Sequence, residues 1–119
     1  MIDMNATQTA PAMEKTVADF KAKLRRMDAY NHALGVMHYD SETAMPRGGA
    51  QDLSRALEVL SEESYKMGVE PAFRALMQEI LDNREQVDYV TRREAEEGME
   101  NLERMEKIPM EEYVAYQVA

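Results

Sequence analysis

An all-α fold is what this sequence predicts: four to five helices in antiparallel hairpins, led by one long N-terminal helix. Three observations carry that expectation. Apolar residues recur at three- and four-residue steps through most of the 119 residues, the spacing that lines one face of a helix. The 5 Gly and 4 Pro are sparse and sit mostly where helices should stop or start. No stretch shows strand-period alternation, internal repetition or low complexity. The length fits a single core, and 45% apolar with 31% charged residues is the balance of a folded domain.

The elements follow in order. Residues 1–12, with Asn5, Thr7, Gln8, Thr9 and Pro11, read as a flexible N-terminal arm. From Met13 the stripe Val17, Phe20, Leu24, Met27, Leu34, Met37 predicts a helix running to Thr43, about thirty residues and so roughly 45 Å long. Asp19, Lys21, Lys23, Arg25 and Arg26 fall on its solvated side. Met45-Pro46-Arg47-Gly48-Gly49 should end it, because Pro46 disfavours helical geometry at Met45 and two glycines permit a reversal. A second helix should span Ala50 to Met67, with Leu53, Ala56, Leu57, Leu60 and Met67 on one face and Gly68 as its left-handed stop. Pro71 suits the first turn of a third helix that frays near Asn83. Asp88 is a good N-cap for a fourth, whose inner face is Thr91, Ala95, Gly98, Leu102 and Met105. Pro109 precedes a fifth run, Met110 to Ala119. That run lacks any stop signal, so the expectation is a segment of a longer helix and a longer protein. A long first helix on a short chain should also leave apolar stripe uncovered, which predicts a homodimer.

Charge excludes some classes of partner. Acidic residues outnumber basic ones 23 to 14, for a net charge of −9, which disfavours nucleic acid and anionic membrane surfaces. There is no Cys, hence no disulfide or thiolate metal site, and a reducing, cytoplasmic setting is expected. The first dozen residues have neither the basic nor the apolar region of a signal peptide, and no apolar run is long enough to cross a bilayer.

Catalytic constellations are missing. His32 and His38 lie six residues apart, whereas helical metal pairs need three or four to share a face. His38 and Glu42 are one turn apart, and an ordinary surface contact explains that spacing better than a metal. Gly48-Gly49 lacks the Lys and strand of a phosphate loop. Glu94, Glu96, Glu97, Glu100, Glu103 and Glu106 form a solvated face with Glu100–Arg104 and Glu103–Lys107 as favourable pairs. The 11 Met serve as gap-fillers in the core or an interface.

One stretch is recognisable. Asn31-His32-Ala33-Leu34-Gly35-Val36-Met37-His38-Tyr39-Asp40-Ser41-Glu42-Thr43-Ala44-Met45-Pro46-Arg47-Gly48-Gly49-Ala50 resembles the N-terminal signature of the Taq-type thermostable metallocarboxypeptidases. The pieces that carry the resemblance are an aromatic-Asp pair (Tyr39, Asp40), Thr43, Met45-Pro46 and the turn glycines Gly48 and Gly49. Leu57-Glu58-Val59-Leu60-Ser61 is similar to the second helix of that family. The departures are Tyr39 where the family has Trp, Leu53 where it has Arg and Tyr65 where it has His.

The resemblance implies an almost wholly helical, much longer parent enzyme that removes C-terminal residues from peptides. In that family zinc or another divalent metal is held by an HExxH helix and a downstream Glu, none of which this chain contains. By the same resemblance, residues 13–119 form the helical N-terminal region beside a deep cleft, as a flap or a subunit contact. They would carry no catalytic or metal-ligating residue and no cofactor of their own. The partners implied are the remainder of the parent enzyme and the parent's peptide substrates. A structural role for Tyr39, Asp40, Thr43, Met45, Pro46, Gly48 and Gly49 outweighs substrate contact, since Asp40 and Thr43 can satisfy backbone groups at a helix end. The alternative is a free-standing acidic adaptor whose Met-rich stripe binds a partner helix.

Overall fold

The computed structural model describes residues 8–43 and 49–118, and the described residues form helices and turns with no strand. A 3-10 turn at Pro11–Met13 leads into α1 (Glu14–Thr43). Then come α2 (Ala50–Gly68), α3 (Pro71–Asp82), a 3-10 turn at Arg84–Gln86, α4 (Tyr89–Glu106) and α5 (Met110–Val118). All-α architecture with a long N-terminal helix is therefore what the chain adopts. Ala119 and the segment 44–48, and with them the expectations for Met45, Pro46 and Gly48, lie outside the described residues.

The molecule is elongated, 61 × 26 × 20 Å, because α1 is a spine with two sets of partners. Along its first half α3 packs on α1, and α4 packs on α3. Along its second half α2 packs on α1, and α5 packs on α2. The expected uncovered stripe does not materialise. Phe20 and Leu34 are buried and Val17, Leu24, Met27 and Met37 half-buried, since α3 and α2 cover successive lengths of the same face. The first half holds the main core: Met13, Phe20, Phe73, Met77, Ile80, Val87, Ala95, Met99 and Leu102. Leu34 and Leu57 are the fully buried large apolar side chains of the second half among the described residues, beside the buried serines Ser61 and Ser64.

Gly68 departs from its expected role. It belongs to the last turn of α2, the C-cap is Val69, and no described residue has positive φ. Its missing side chain serves contact instead: a Cβ there would lie 3.0 Å from the Met105 Sδ and Cε atoms. Surface pairing on α4 also differs. Neither Glu100–Arg104 nor Glu103–Lys107 forms; Arg104 turns to Asn101, Arg93 reaches Glu96 and Glu97, and Glu106 pairs with Arg74 of α3 at 2.7 Å. Of these contacts, the Arg74–Glu106 pair joins α3 to α4, and the others stay within α4.

Asp88 caps α4 and ties the N-terminal segment to it. Its carboxylate accepts from the Thr91 amide (3.1 Å), the Thr91 hydroxyl (2.7 Å) and the Thr9 hydroxyl (2.9 Å). The Ala10 amide donates to the Gln86 carbonyl at 2.8 Å, so residues 9 and 10 run against the turn before α4. Partial burial pushes the Asp88 carboxyl up, but the hydrogen bonds from Thr91 and Thr9 and the charge of Lys21 outweigh it and hold the group below its ordinary value. A lowered folded-state value means the cap's charge-linked stability is present above the unfolded carboxyl's range, near pH 4, and is lost as pH falls through the folded value. Asp88→Ala should cost about 1–2 kcal/mol at pH 7. Urea titration should show that difference shrinking below about pH 4, and a pH-independent difference would remove the electrostatic part of this account.

Candidate functional site

Of the family-like residues, Tyr39, Asp40, Thr43 and Gly49 are described, at the end of α1 and the start of α2. Tyr39, Asp40 and Thr43 occupy the last two turns of α1, and Gly49 is the N-cap of α2 with φ of −88°. A helical φ needs no glycine, so Gly49 is not required there for left-handed geometry. Tyr39 is 67% exposed, which leaves most of its ring at the surface at this end of the molecule. Leu53 is half-buried on α2.

Tyr65 has a clear structural task. Its hydroxyl donates to the Ile108 carbonyl at 2.6 Å, and its ring lies 5.5 Å from that of Tyr113. Carbonyls at the end of a helix lack intrahelical donors, and Tyr65 supplies one at the α4–α5 connection, directly before Pro109. One side chain of α2 thus fixes where α5 begins.

The histidines do not come together around a metal. His32 is exposed, and the His38 Nε2 lies 3.0 Å from the Gln117 Oε1 on α5, a contact between the ends of α1 and α5. No three His, Asp or Glu side chains converge among the described residues. The donor chemistry here does not fit a divalent metal of the kind the family implies, because structural and catalytic sites need three or four convergent ligands. No described helix is long and apolar enough to cross a membrane.

One buried charge escaped the periodicity reading, which marked Thr91, Ala95 and Leu102 as inward but not Arg92 or Met99. Arg92 is only 7% exposed, with its guanidinium carbon 5.6 Å from the centre of the Tyr89 ring. Its Nη2 has no hydrogen-bond partner among the described protein atoms. An arginine cannot shed its proton to escape burial, so the site carries a desolvation cost that the ring only partly offsets. Arg92→Met keeps the volume and removes the charge. The variant should be more stable by about 1–2 kcal/mol, and a lower urea midpoint would show that Arg92 has a stabilising role.

The described residues build an all-α arrangement with one long N-terminal helix. Residues 19–119 match the family described as Carboxypeptidase Taq (M32) metallopeptidase, and the chain belongs to that family. It is similar to Carboxypeptidase 1 of Bacillus subtilis (strain 168), at 26% identity over 98 residues. That match covers 82% of this chain and 20% of the relative, so the chain spans about a fifth of the relative's length. No solved structure matches the chain.

Proposed function

We infer that residues 13–119 are the helical N-terminal region of a longer metal-dependent carboxypeptidase, which removes C-terminal residues from peptides. In this reading the chain borders the substrate cleft, or a contact between subunits, and the hydrolytic centre lies in the rest of the enzyme. The observation that carries it is the family match over residues 19–119 in a chain that spans a fifth of its relative. Zinc or another divalent ion would then be held by residues of the longer protein. Tyr39, Asp40, Thr43, Met45, Pro46, Gly48 and Gly49 act structurally, setting the reversal between α1 and α2. A cytoplasmic location agrees with the absence of Cys. Self-association has weaker support than the stripe alone suggested, since α2 and α3 cover it.

The test is to express the 119-residue chain and the reading frame that continues past it, and to measure metal content and release of C-terminal residues for both. The longer protein should retain a divalent ion and trim peptides, while the chain alone should release nothing. A reading frame that stops at Ala119, or a longer protein that neither binds metal nor trims, would end this reading.

A further inference from the structure

Tyr65 and Gly68 stand one turn apart on α2, and both hold the end of α4. The Tyr65 hydroxyl donates to the Ile108 carbonyl at 2.6 Å and lies 3.4 Å from that of Met105. Beside it the Met105 side chain packs on Gly68, so closely that a Cβ there would come within 3.0 Å of its Sδ and Cε atoms. The last turn of α2 therefore grips the α4–α5 connection at two points, one polar and one through a thioether. Met105 is half-buried, so small solutes reach it.

The other described methionines lack one of these two properties. Met13, Met77 and Met99 are buried, and the Met99 sulfur also accepts from the Arg74 Nη1 at 3.8 Å. Met27 and Met67 are half-buried, but they line a cleft of about 290 Å³ with Lys23, Arg26 and Glu70, where α1 meets the end of α2 and the start of α3. An added oxygen has room there. Met37 and Met110 are half-buried as well, and neither sulfur lies against Gly35, Gly68 or Gly98.

We propose that Met105 is a reversible oxidation site, at which conversion to the sulfoxide by hydrogen peroxide frees the end of α4 from α2 and loosens α5. The step balances without a cofactor. The sulfur lone pair takes one peroxide oxygen, the O–O bond breaks, and the other oxygen leaves as water with the proton of the first. Sulfur gives up two electrons and the peroxide accepts them. This chain contains no Cys, so no thiol of its own competes for the oxidant.

The product places a polar S–O group where a flexible apolar side chain was packed. On the Gly68 side the gap is already closed. The donor beside it, the Tyr65 hydroxyl, is committed to Ile108, so satisfying the new oxygen there takes that bond away. Turning the sulfoxide out to water instead withdraws the side chain from Gly68. Either way one of the two grips on α4 is lost. The inference is independent of the carboxypeptidase reading.

The test is graded hydrogen peroxide on the 119-residue chain, with sulfoxides mapped by mass spectrometry and amide exchange followed on the same samples. Met105 should be converted well before Met13, Met77 and Met99. Exchange across α5 should rise about tenfold or more as Met105 is converted, the effect of one buried polar group left without a partner. The amides of α3 should keep the rates of the untreated chain. Methionine sulfoxide reductases supplied with a dithiol should restore slow exchange. Met105→Leu keeps the volume and has no sulfur, so its α5 should stay protected through the same treatment. Met27→Leu and Met110→Leu should loosen as the parent does. The proposal is overturned if Met105 reacts no faster than Met77, or if α5 exchange is unchanged in chains oxidised at Met105. Loosening that survives reduction overturns it too, as does Met105→Leu loosening like the parent. Should Met105→Leu fail to fold, the peroxide series on the parent decides alone: α5 exchange must follow the sulfoxide occupancy of Met105, and following that of Met27 or Met110 instead overturns the proposal.

Discussion

Phe20→Ala should leave the chain largely unfolded at room temperature or within a few degrees of melting. Phe20 and Phe73 are the two phenylalanines of the sequence, and they stack on each other, ring centres 5.9 Å apart and planes inclined by 16°. Both are essentially inaccessible, at 0% and 2% exposure, in the middle of the core shared by α1, α3 and α4. Truncating a buried phenylalanine costs about 3–5 kcal/mol, from lost apolar transfer and from the cavity that remains. A domain of this size has only about 5–15 kcal/mol to lose. The stacked pair also contributes about 0.5–1.5 kcal/mol beyond its area. Phe20→Leu, which keeps most of the volume, should cost less than about 1.5 kcal/mol. Urea unfolding followed by circular dichroism reads both variants, and equal losses for Ala and Leu would mean that volume at this position is not what matters.

Gly98→Leu is the second large effect, and its sign depends on one neighbour. A Cβ at Gly98 would lie 2.7 Å from the Met77 Sδ, closer than real contacts allow. Met77 is fully buried within the main core, so its sulfur has no open space to move into. Glycine in a helix ordinarily costs about 1 kcal/mol relative to alanine. Here that local cost is offset by the closeness with which α4 approaches α3. A leucine should therefore destabilise by about 3 kcal/mol through overpacking. Gly35 on α1 is the natural control, because nothing lies within 4 Å of the position its Cβ would take. Gly35→Ala should stabilise by up to about 1 kcal/mol. If both substitutions moved the melting temperature in the same direction, helix propensity and not the Met77 contact would be the governing factor.

Helix positions were legible because their signals are local. Pro71 at the first turn of α3 and Asp88 at the cap of α4 act within a few residues of themselves, and both stand where the pattern put them. On α4, the inward positions Thr91, Ala95 and Leu102 followed from spacing alone. What spacing could not reveal was which element meets which. The coverage of α1 by α3 and then α2, the Tyr65 bond to Ile108 and the Gly68–Met105 contact all link residues far apart in the chain. Arg92 was missed for a related reason: a charged residue between Thr91 and Ala95 reads as surface, and only the packing shows it enclosed. The turn motif was visible through resemblance. The cleft at Arg26 was not, since it needs the ends of α2 and α3 brought beside α1, and the basic run read as an ordinary solvated face.

The uneven distribution of core along α1 has a consequence for how the molecule opens. Nine buried residues cluster where α1 meets α3 and α4, while α2 and α5 close over little beyond Leu34, Leu57 and two serines. Amide hydrogen exchange should accordingly separate the chain into two cooperative units, with α2 and α5 exchanging through a low-energy partial opening that leaves α3 and α4 protected. α1 would then belong to both: its first half would keep its protons as long as the main core survives, and its second half would lose them together with α2. Such a helix behaves as a hinge pin anchored at one end, able to release the α2–α5 pair as a lid without unfolding the base that carries it.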